Sequence, residues 1–392
     1  MLSATVSAQA ASSVAINGPA FLIPALVGAR GLSLTAAGTL AAMTLAGVMV
    51  SLIVWGIVVD RIGERTVLLV GLGGTAVAGV GATLVDGALA LGALLFVVGV
   101  FAASSSSASG RIVVGWFPPQ RRGTAMGFRQ MAQPLGVAVA AATIAVTAEA
   151  HGVAAALWIP VGACVLAFAA IAAVVLDPPR PEATAALTAN PYREDRFLWR
   201  IHGVSVLTVV PQFLVWTYSL AWLVQERDWS AASAGALVAG THVLGAAGRI
   251  GAGALSDAVA SRVRPLRWVA AAAGVTMLLL GVAASLTDPI ALAVVLLVVA
   301  STLTVADNGL AFTSVAERAG AFWSGRALGV QNTAQYLVAA AVAPVAAVSI
   351  TGWGYGPTFL VAAAFPLVAA ALVPPADISR EGEPGVTGRD DP

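Results

Sequence analysis

The chain has 392 residues, of which 59% are hydrophobic and only 10% charged, and its mean hydropathy is +0.90. Because a soluble domain carries about 25% charged residues, this composition indicates a lipid bilayer as the surrounding solvent. The formal net charge of +1, without a basic stripe, argues against a nucleic-acid partner. The single cysteine, Cys164, excludes a disulfide framework, and the histidines lack the spacing of a metal site.

Twelve apolar segments follow one another along the chain, each long enough to cross the hydrocarbon core as a helix of about 20 residues. Their continuous apolar character favours helices over the alternating strands of a membrane barrel. The predicted spans, numbered 1 to 12 in chain order, are residues 4–28, 34–59, 66–85, 88–116, 123–148, 153–176, 200–224, 230–256, 267–286, 289–314, 325–349 and 354–373.

A stretch rich in proline and charge separates the first six spans from the last six. We therefore predict an N-terminal six-helix bundle over residues 1–176, a linker over 177–199, a C-terminal six-helix bundle over 200–376 and a short tail over 377–392. Outside the spans, only Arg30 and Arg227 fall on one face, and all other arginines fall on the opposite face. The positive-inside rule then predicts a multi-pass protein of the cell membrane with both termini, the linker and the tail in the cytoplasm.

The two predicted bundles carry an internal repeat. Residues 123–135, GTAMGFRQMAQPL, share six identical positions with residues 325–337, GRALGVQNTAQYL, including glycine pairs that permit close helix approach. A second match, at the ends of spans 2 and 8, relates Gly56, Asp60 and Arg65 to Gly253, Asp257 and Arg262. Repeats in the same orientation predict two pseudo-symmetric bundles related by an axis along the membrane normal.

Every third predicted span differs from its neighbours, since spans 3, 6, 9 and 12 have no charged residue in their interiors. The other eight carry polar side chains at helical spacing, which are costly in lipid unless they face protein or water. Any one of them fits a hydrogen bond between helices, but the asymmetric pattern favours a polar central cavity. The substrate-binding candidates from this pattern are Gln9, Asn17, Gln133, Gln212, Trp216, Gln331, Asn332 and Gln335.

Four ionisable residues inside the spans are further candidates. Arg111 in span 4 and Arg129 in span 5 lie at one depth and are suited to binding an anionic substrate. The alternative is that each pairs with a loop carboxylate or extends to the membrane surface. Asp307 in span 10 and His242 in span 8 are candidates for proton coupling. Their alternatives are a counter-charge for an arginine and a packing histidine.

The segment after span 2 reads GIVVDRIGER and contains Gly56, Asp60, Arg61, Gly63 and Arg65. It resembles the signature of the major facilitator superfamily, and a degraded copy with Asp257 and Arg262 follows span 8. The resemblance covers essentially the whole chain and implies the fold of that family and alternating access. We expect Asp60 to accept hydrogen bonds from an adjacent helix N-terminus, so that these residues latch the two halves on the cytoplasmic side. Plain topology-setting charge is the alternative.

Together these features predict a secondary active transporter rather than an enzyme. We expect it to carry a small polar metabolite, with an anion favoured, by symport with an ion or by exchange. A proton-coupled efflux pump for amphipathic drugs is the alternative; aromatic residues in spans 7 and 11 support it, but residues 95–99 lack the arginine of the family's drug-antiporter motif. No nucleotide-binding loop is present and no cofactor is predicted. We expect a monomer whose partners are the lipid bilayer, the substrate and a coupling proton.

Overall fold

The computed structural model describes residues 1–28, 30–32, 34–178, 189–229, 231–286 and 290–377, and within these ranges every regular element is a helix. Residues 179–188 of the predicted linker and 378–392 of the predicted tail lie outside the described residues. The elements are α1 Leu2–Asn17, a 3₁₀ helix Gly18–Leu22, α2 Ile23–Gly28, α3 Leu34–Ile62, α4 Glu64–Thr83, α5 Ala88–Ala102, α6 Ser104–Trp116, α7 Pro119–Gln130, α8 Ala132–Val174, α9 Phe197–Gln225, α10 Ala231–Val259, α11 Val263–Ser285, α12 Ile290–Ala319, α13 Ser324–Trp353 and α14 Tyr355–Leu372.

These helices agree with the predicted spans. In the described part of the chain, nine helical stretches are long and apolar enough to cross a membrane. One of them, Pro119–Val174, covers spans 5 and 6 together. Between these two spans the chain turns at Gly152, whose φ of 86° favours glycine. Helix α10 and the pair α1 and α2 occupy the positions of spans 8 and 1. The all-helical membrane fold is confirmed, and its helices are consistent with twelve crossings.

Spans 4 and 5 are interrupted, which the sequence did not predict. Span 4 consists of α5 and α6 with Ala103 between them, and span 5 continues from α7 into α8 after Met131. The interruption in span 5 follows from Pro134, which has no backbone N–H to donate to the carbonyl of Gln130. Arg249 donates to that carbonyl instead, at 2.6 Å. A helix of the second half thus satisfies a backbone group of the first.

The helices divide into an inner set and an outer set. Helices α3, α6 and α7 of the first half meet α10, α12 and α13 of the second, whereas α4, α11 and α14 pack on elements of their own half. The outer helices carry exposed apolar side chains such as Val77, Leu279 and Val368. This arrangement agrees with the apolar character of spans 3, 9 and 12, because exposed apolar side chains suit contact with lipid.

Glycines bring the two halves into backbone contact at the end of the bundle where Asp60 and Asp257 lie, which we name the arginine-rich end. A Cβ atom at Gly123 would lie 2.5 Å from the carbonyl oxygen of Gly253, and one at Gly329 would lie 2.8 Å from that of Leu52. A larger residue would therefore push α7 from α10, or α13 from α3. The close helix approach predicted from the repeated glycines is confirmed at both contacts.

Candidate functional site

A polar cavity lies between the two halves, with an empty volume of about 560 Å³ that includes space open to solvent. Helices α1, α6, α7 and α8 form one wall, and α9, α12 and α13 form the other. Its lining residues are Gln9, Ser106, Arg129, Gln130, Gln133, Val209, Gln212, Phe213, Asn308, Phe312, Asn332, Gln335 and Tyr336. The structure therefore brings together the predicted candidates Gln9, Arg129, Gln133, Gln212, Asn332 and Gln335.

Arg129 brings a buried positive charge to the first wall, where its side chain is only 1% exposed. Its Nε donates to Oγ of Ser109 at 2.8 Å, its Nη1 to Oε1 of Gln130 at 2.7 Å and its Nη2 to the carbonyl of Ser106 at 2.8 Å. The guanidinium also lies 5.5 Å from the ring centroid of Phe312. All these partners are neutral, and no ion pair between described residues includes Arg129.

A chain of amides lines the second wall. Nδ2 of Asn308 donates to Oε1 of Gln212, and Oδ1 of Asn308 accepts from Nε2 of Gln335, both at 3.0 Å. Nδ2 of Asn332 donates to the carbonyl of Leu328 at 2.8 Å. Asn308 was not among the predicted binding residues, although it lies four positions before the lining residue Phe312 on the same helix. The signal in the sequence is its polar side chain next to Asp307 inside span 10, where polar groups are costly unless they face protein or water.

Two of the predicted binding residues, Asn17 and Trp216, are not among the residues that line the cavity. Asn17 donates to the carbonyl of Ser13, one turn earlier on α1, at 2.9 Å. Trp216 packs against His242, with ring centroids 5.2 Å apart. His242 is half-buried in this contact, which is the packing arrangement that the sequence left open for it.

Gln331, the repeat counterpart of Arg129, turns toward its own half. Its Oε1 is hydrogen-bonded to Nδ1 of His202, and its amide N–H donates to Oγ of Ser205. Nε2 of His202 lies 2.8 Å from the hydroxyl of Tyr192, which precedes α9 and whose pKa is raised by burial. Sequence reasoning missed His202 because a single histidine near the end of a span has no partner at a characteristic spacing.

Arg111 lies at the arginine-rich end and does not line the cavity. Its Nη1 is 3.2 Å from Oδ1 of Asp60, and its Nε is 2.7 Å from Oε1 of Glu64. All three side chains are buried. This pairing with carboxylates is the arrangement that the sequence left as the alternative to substrate binding for Arg111.

Asp60 joins the two halves at the arginine-rich end. Its Oδ1 accepts a hydrogen bond from the backbone N–H of Gly325 at 3.0 Å, and its Oδ2 accepts one from that of Arg326 at 3.1 Å. Both donors belong to the first turn of α13, where the helix dipole favours a carboxylate. The side chain of Arg326 adds an ion pair at 3.2 Å. The predicted contact between Asp60 and a helix N-terminus is therefore present.

Asp257 makes the equivalent contact from the second half. It accepts hydrogen bonds from the backbone N–H of Gly123 at 2.9 Å and of Thr124 at 2.7 Å, both near the start of α7. Nη1 of Arg262 lies 2.6 Å from Oδ1 of Asp257, and Nη2 of Arg262 donates to the carbonyl of Pro119. Two carboxylates, one from each half, thus hold a helix of the opposite half.

The other signature residues serve the first half itself. Gly63 lies between α3 and α4 with a φ of 95°. Asp177 holds the first turn of α4, because its Oδ1 accepts a hydrogen bond from the backbone N–H of Arg65 at 2.7 Å. The side chain of Arg65 donates to the carbonyl of Ala172 at 2.8 Å. Arg61 is exposed. Gly56 is the exception, since a Cβ atom there would lie 2.9 Å from Cα of Arg326 in the second half.

Asp307 is a buried carboxyl group that is only 2% exposed and adjoins the lining residue Asn308. Its Oδ2 accepts a hydrogen bond from Oγ1 of Thr208 at 2.5 Å, whereas its Oδ1 has no hydrogen-bond partner among the described residues. Arg249 interacts with it electrostatically. The Arg249 guanidinium donates to backbone carbonyls, including that of Val305 at 3.3 Å.

Comparisons with known proteins agree with this geometry. The sequence model of the Major Facilitator Superfamily matches residues 5–344. The chain is 46% identical over 373 residues to the uncharacterized MFS-type transporter Rv2994 of Mycobacterium tuberculosis strain H37Rv, a match that covers 94% of this chain and 83% of that protein. It is 45% identical, with the same coverage, to the uncharacterized MFS-type transporter MT3072 of Mycobacterium tuberculosis strain CDC 1551.

Several solved structures share the fold. The E. coli fucose:proton symporter FucP superposes with a TM-score of 0.74 at 15% identity, covering 95% of this chain and 96% of that one. The proton:xylose symporter XylE gives 0.72 at 16% identity, covering 94% of each chain. The human organic anion transporter MFSD10 gives 0.72 at 17% identity, covering 95% of this chain and 98% of that one. At these identities the likeness shows the fold alone.

The membrane helices and the polar cavity between two halves define a multi-pass membrane transporter. This chain belongs to the major facilitator superfamily. Members of that family move small molecules across membranes and are generally not enzymes.

Proposed function

We propose that this protein is a secondary active transporter that carries a small polar anion across the cytoplasmic membrane by alternating access, coupled to a proton gradient. The observation that carries the proposal is Arg129, a buried guanidinium that lines the cavity and whose hydrogen-bond partners among the described residues are all neutral. A buried charge without a counter-charge is costly. A bound anion would remove that cost and would gain charge-assisted hydrogen bonds of about 1.5–3 kcal/mol each.

The contacts at the arginine-rich end support alternating access. Asp60 and Asp257 both cross from one half to the other at this end. Helices α2 and α5, at the opposite end of the first half, pack within their own half. If the arginine-rich end is cytoplasmic, as the positive-inside rule predicts, this state opens outward. Gly56, Asp60, Asp257 and Arg262 then form a latch that must open for release inside. The predicted latch residues Arg61, Gly63 and Arg65 are not part of it, because Gly63 and Arg65 contact the first half and Arg61 is exposed.

Asp307 is the coupling residue in this proposal. One of its oxygens is buried without a hydrogen-bond partner in the described part of the chain, and this oxygen is the position at which the carboxyl group takes up a proton in the proposed cycle. Asp307 adjoins Asn308, which lines the cavity, so protonation and substrate binding occur at neighbouring residues. FucP and XylE are described as proton symporters, and we extend that form of coupling to this chain.

Thermal stabilisation of the purified protein tests the anion site, because a ligand that binds only the folded state raises the Tm. The panel contains small organic anions and, as a contrast, lipophilic cations. We expect anions to raise the Tm of the wild type and of Arg264→Gln, which removes an exposed arginine, but not of Arg129→Gln. Equal anion stabilisation of all three proteins would overturn the proposal.

The efflux of amphipathic compounds stays a second candidate because three rings, Phe213, Phe312 and Tyr336, also line the cavity. Aromatic rings bind lipophilic cations. Stabilisation by the lipophilic cations alone, unaffected by Arg129→Gln, would place this candidate first.

A further inference from the structure

The charges around the cavity limit the charge of its ligand. Arg111 lies beside two carboxylates at the arginine-rich end, and Arg249 donates to the backbone carbonyls of Gln130 and Val305 and is not among the residues that line the cavity. Arg129 is the lining arginine, and its hydrogen-bond partners are a hydroxyl, an amide and a carbonyl. Among the described residues that line the cavity, Arg129 is therefore the one positive charge, and no carboxylate of the lining balances it. A ligand with one negative charge balances it, whereas a second negative charge would be buried without a partner.

The hydrogen bonds of Arg129 fix its guanidinium without using all of it. A guanidinium has five N–H donors, and Ser109, Gln130 and Ser106 take one each. One N–H of Nη2 has no partner among the described residues, and the second N–H of Nη1 donates to the sulfur of Met126 at 3.8 Å, a weak acceptor. A carboxylate is a much stronger acceptor than a thioether, so a bound carboxylate can take the N–H groups of Nη1 and Nη2 that no oxygen occupies.

The opposite wall selects for neutral polar groups. In the amide chain, both ends of the Asn308 side chain are occupied by Gln212 and Gln335. This leaves the amide N–H groups of Gln212 as donors and the carbonyl oxygen of Gln335 as an acceptor, and both residues line the cavity. A hydroxyl group satisfies a donor and an acceptor at once, whereas an alkyl chain would leave both unpaired.

We propose that the cavity binds a hydroxylated organic monoanion, with its carboxylate on Arg129 and its hydroxyl groups on the amides of Gln212 and Gln335, which Asn308 holds in place. This inference rests on the proposed function and adds to it the charge of the substrate and the chemistry of its uncharged part. Arg129 lies in α7 of the first half, and the amides lie in α9, α12 and α13 of the second. Such a ligand therefore bridges the two halves.

Four six-carbon probes separate charge from hydroxylation. Gluconate has one carboxylate and hydroxyl groups, hexanoate has the carboxylate without hydroxyl groups, glucose has hydroxyl groups without the charge, and glucarate has two carboxylates. Dissociation constants for each are measured by titration calorimetry on the full chain in detergent. We expect gluconate to bind at least about tenfold more tightly than each of the other three, because unpaired polar groups and an unbalanced charge weaken binding.

Two variants connect the preference to the two walls. Arg129→Gln should weaken gluconate and hexanoate to the level of glucose. Asn308→Leu should weaken gluconate by about tenfold and leave hexanoate unchanged. Arg264→Gln should bind every probe as the wild type does, and a circular dichroism melt of each variant establishes that it is folded before titration.

The outcomes distinguish this inference from the proposed function. If hexanoate binds as tightly as gluconate, or glucarate binds more tightly, the hydroxylated monoanion is wrong while an anion site at Arg129 stands. If the anions bind no better than glucose and Arg129→Gln changes nothing, the proposed function fails as well. If Asn308→Leu weakens gluconate and hexanoate equally, the amide chain supports the shape of the cavity rather than its selectivity, and the inference is overturned.

Discussion

The two halves of the molecule are alike at the arginine-rich end and different at the cavity. Asp60 and Asp257 occupy corresponding positions, and each accepts backbone hydrogen bonds from a helix of the opposite half. Arg129 and Gln331 also correspond, yet Arg129 lines the cavity while Gln331 is bonded to His202. We infer that the repeated residues serve the movement of the halves, and that the unrepeated ones set the charge of the cavity.

The largest expected effect comes from removing one of the repeated carboxylates. Asp257→Ala leaves two backbone N–H groups of α7 without their acceptor and removes one of the two carboxylates that pair with Arg262, the other being Glu317. Each bond to a charged group contributes about 1.5–3 kcal/mol, so the open fraction at the arginine-rich end should rise at least about tenfold. Pulsed electron spin resonance between labels at Arg121 and Arg264, in a Cys164→Ser background, measures this opening.

Asp60→Ala should open the same end to a similar extent, because the two contacts are equivalent. Asp86→Ala is the matched control, since Asp86 is an exposed carboxylate that pairs with Arg30 at 3.8 Å. If only one of the two substitutions, Asp60→Ala or Asp257→Ala, changes the distance between the labels, the equivalence of the halves at this end is wrong.

The next effect comes from the glycine contact itself. A Cβ atom at Gly253 would overlap the carbonyl of Gly123, whereas one at Gly251, on the same helix, meets nothing within 4 Å. Gly253→Ala should therefore keep α7 and α10 apart and slow transport severalfold or more, while Gly251→Ala transports as the wild type does. Equal rates for the two variants would show that this backbone contact does not limit closure.

The repeat and the glycine pairs allowed the arginine-rich end to be predicted from sequence, because backbone contacts depend on small residues at fixed spacing. The cavity was only partly predictable. Helical periodicity finds a polar face but does not tell which polar group turns to a neighbouring helix, and so Asn17 and Gln331 were grouped with Gln212. Arg111 shows the same limit, because its partner Glu64 lies on a different helix. The interruption at Met131 was predictable from Pro134 but was missed, whereas the donor to the freed carbonyl of Gln130 could not be predicted, because Arg249 lies on another helix.

Asp307→Asn separates coupling from binding. An amide keeps the shape of the carboxyl group but does not exchange a proton, so accumulation driven by a pH gradient in proteoliposomes should fall to background. Exchange of gluconate across the same vesicles without a gradient should persist at close to the wild-type rate. Accumulation that survives the substitution would assign coupling to another residue, and His242 is then the next to replace.

The smallest effect is expected at Gln331, although it is the counterpart of Arg129. Gln331→Leu removes hydrogen bonds to His202 and Ser205 within the second half. We expect a lower Tm, since buried polar partners are left unpaired at about 1–3 kcal/mol, but less than about a threefold change in gluconate affinity. A loss of affinity as large as the tenfold loss expected for Asn308→Leu would place Gln331 in the binding site and weaken the contrast between the halves.

Counterflow of radiolabelled gluconate in proteoliposomes tests the central claim most directly, because it needs a functional anion site and no coupling. Wild type and Arg264→Gln should exchange gluconate at the same rate. Arg129→Gln should be at least about tenfold slower, and hexanoate should compete only weakly in all cases. Exchange by Arg129→Gln at the wild-type rate would contradict the claim that this buried guanidinium binds the transported anion.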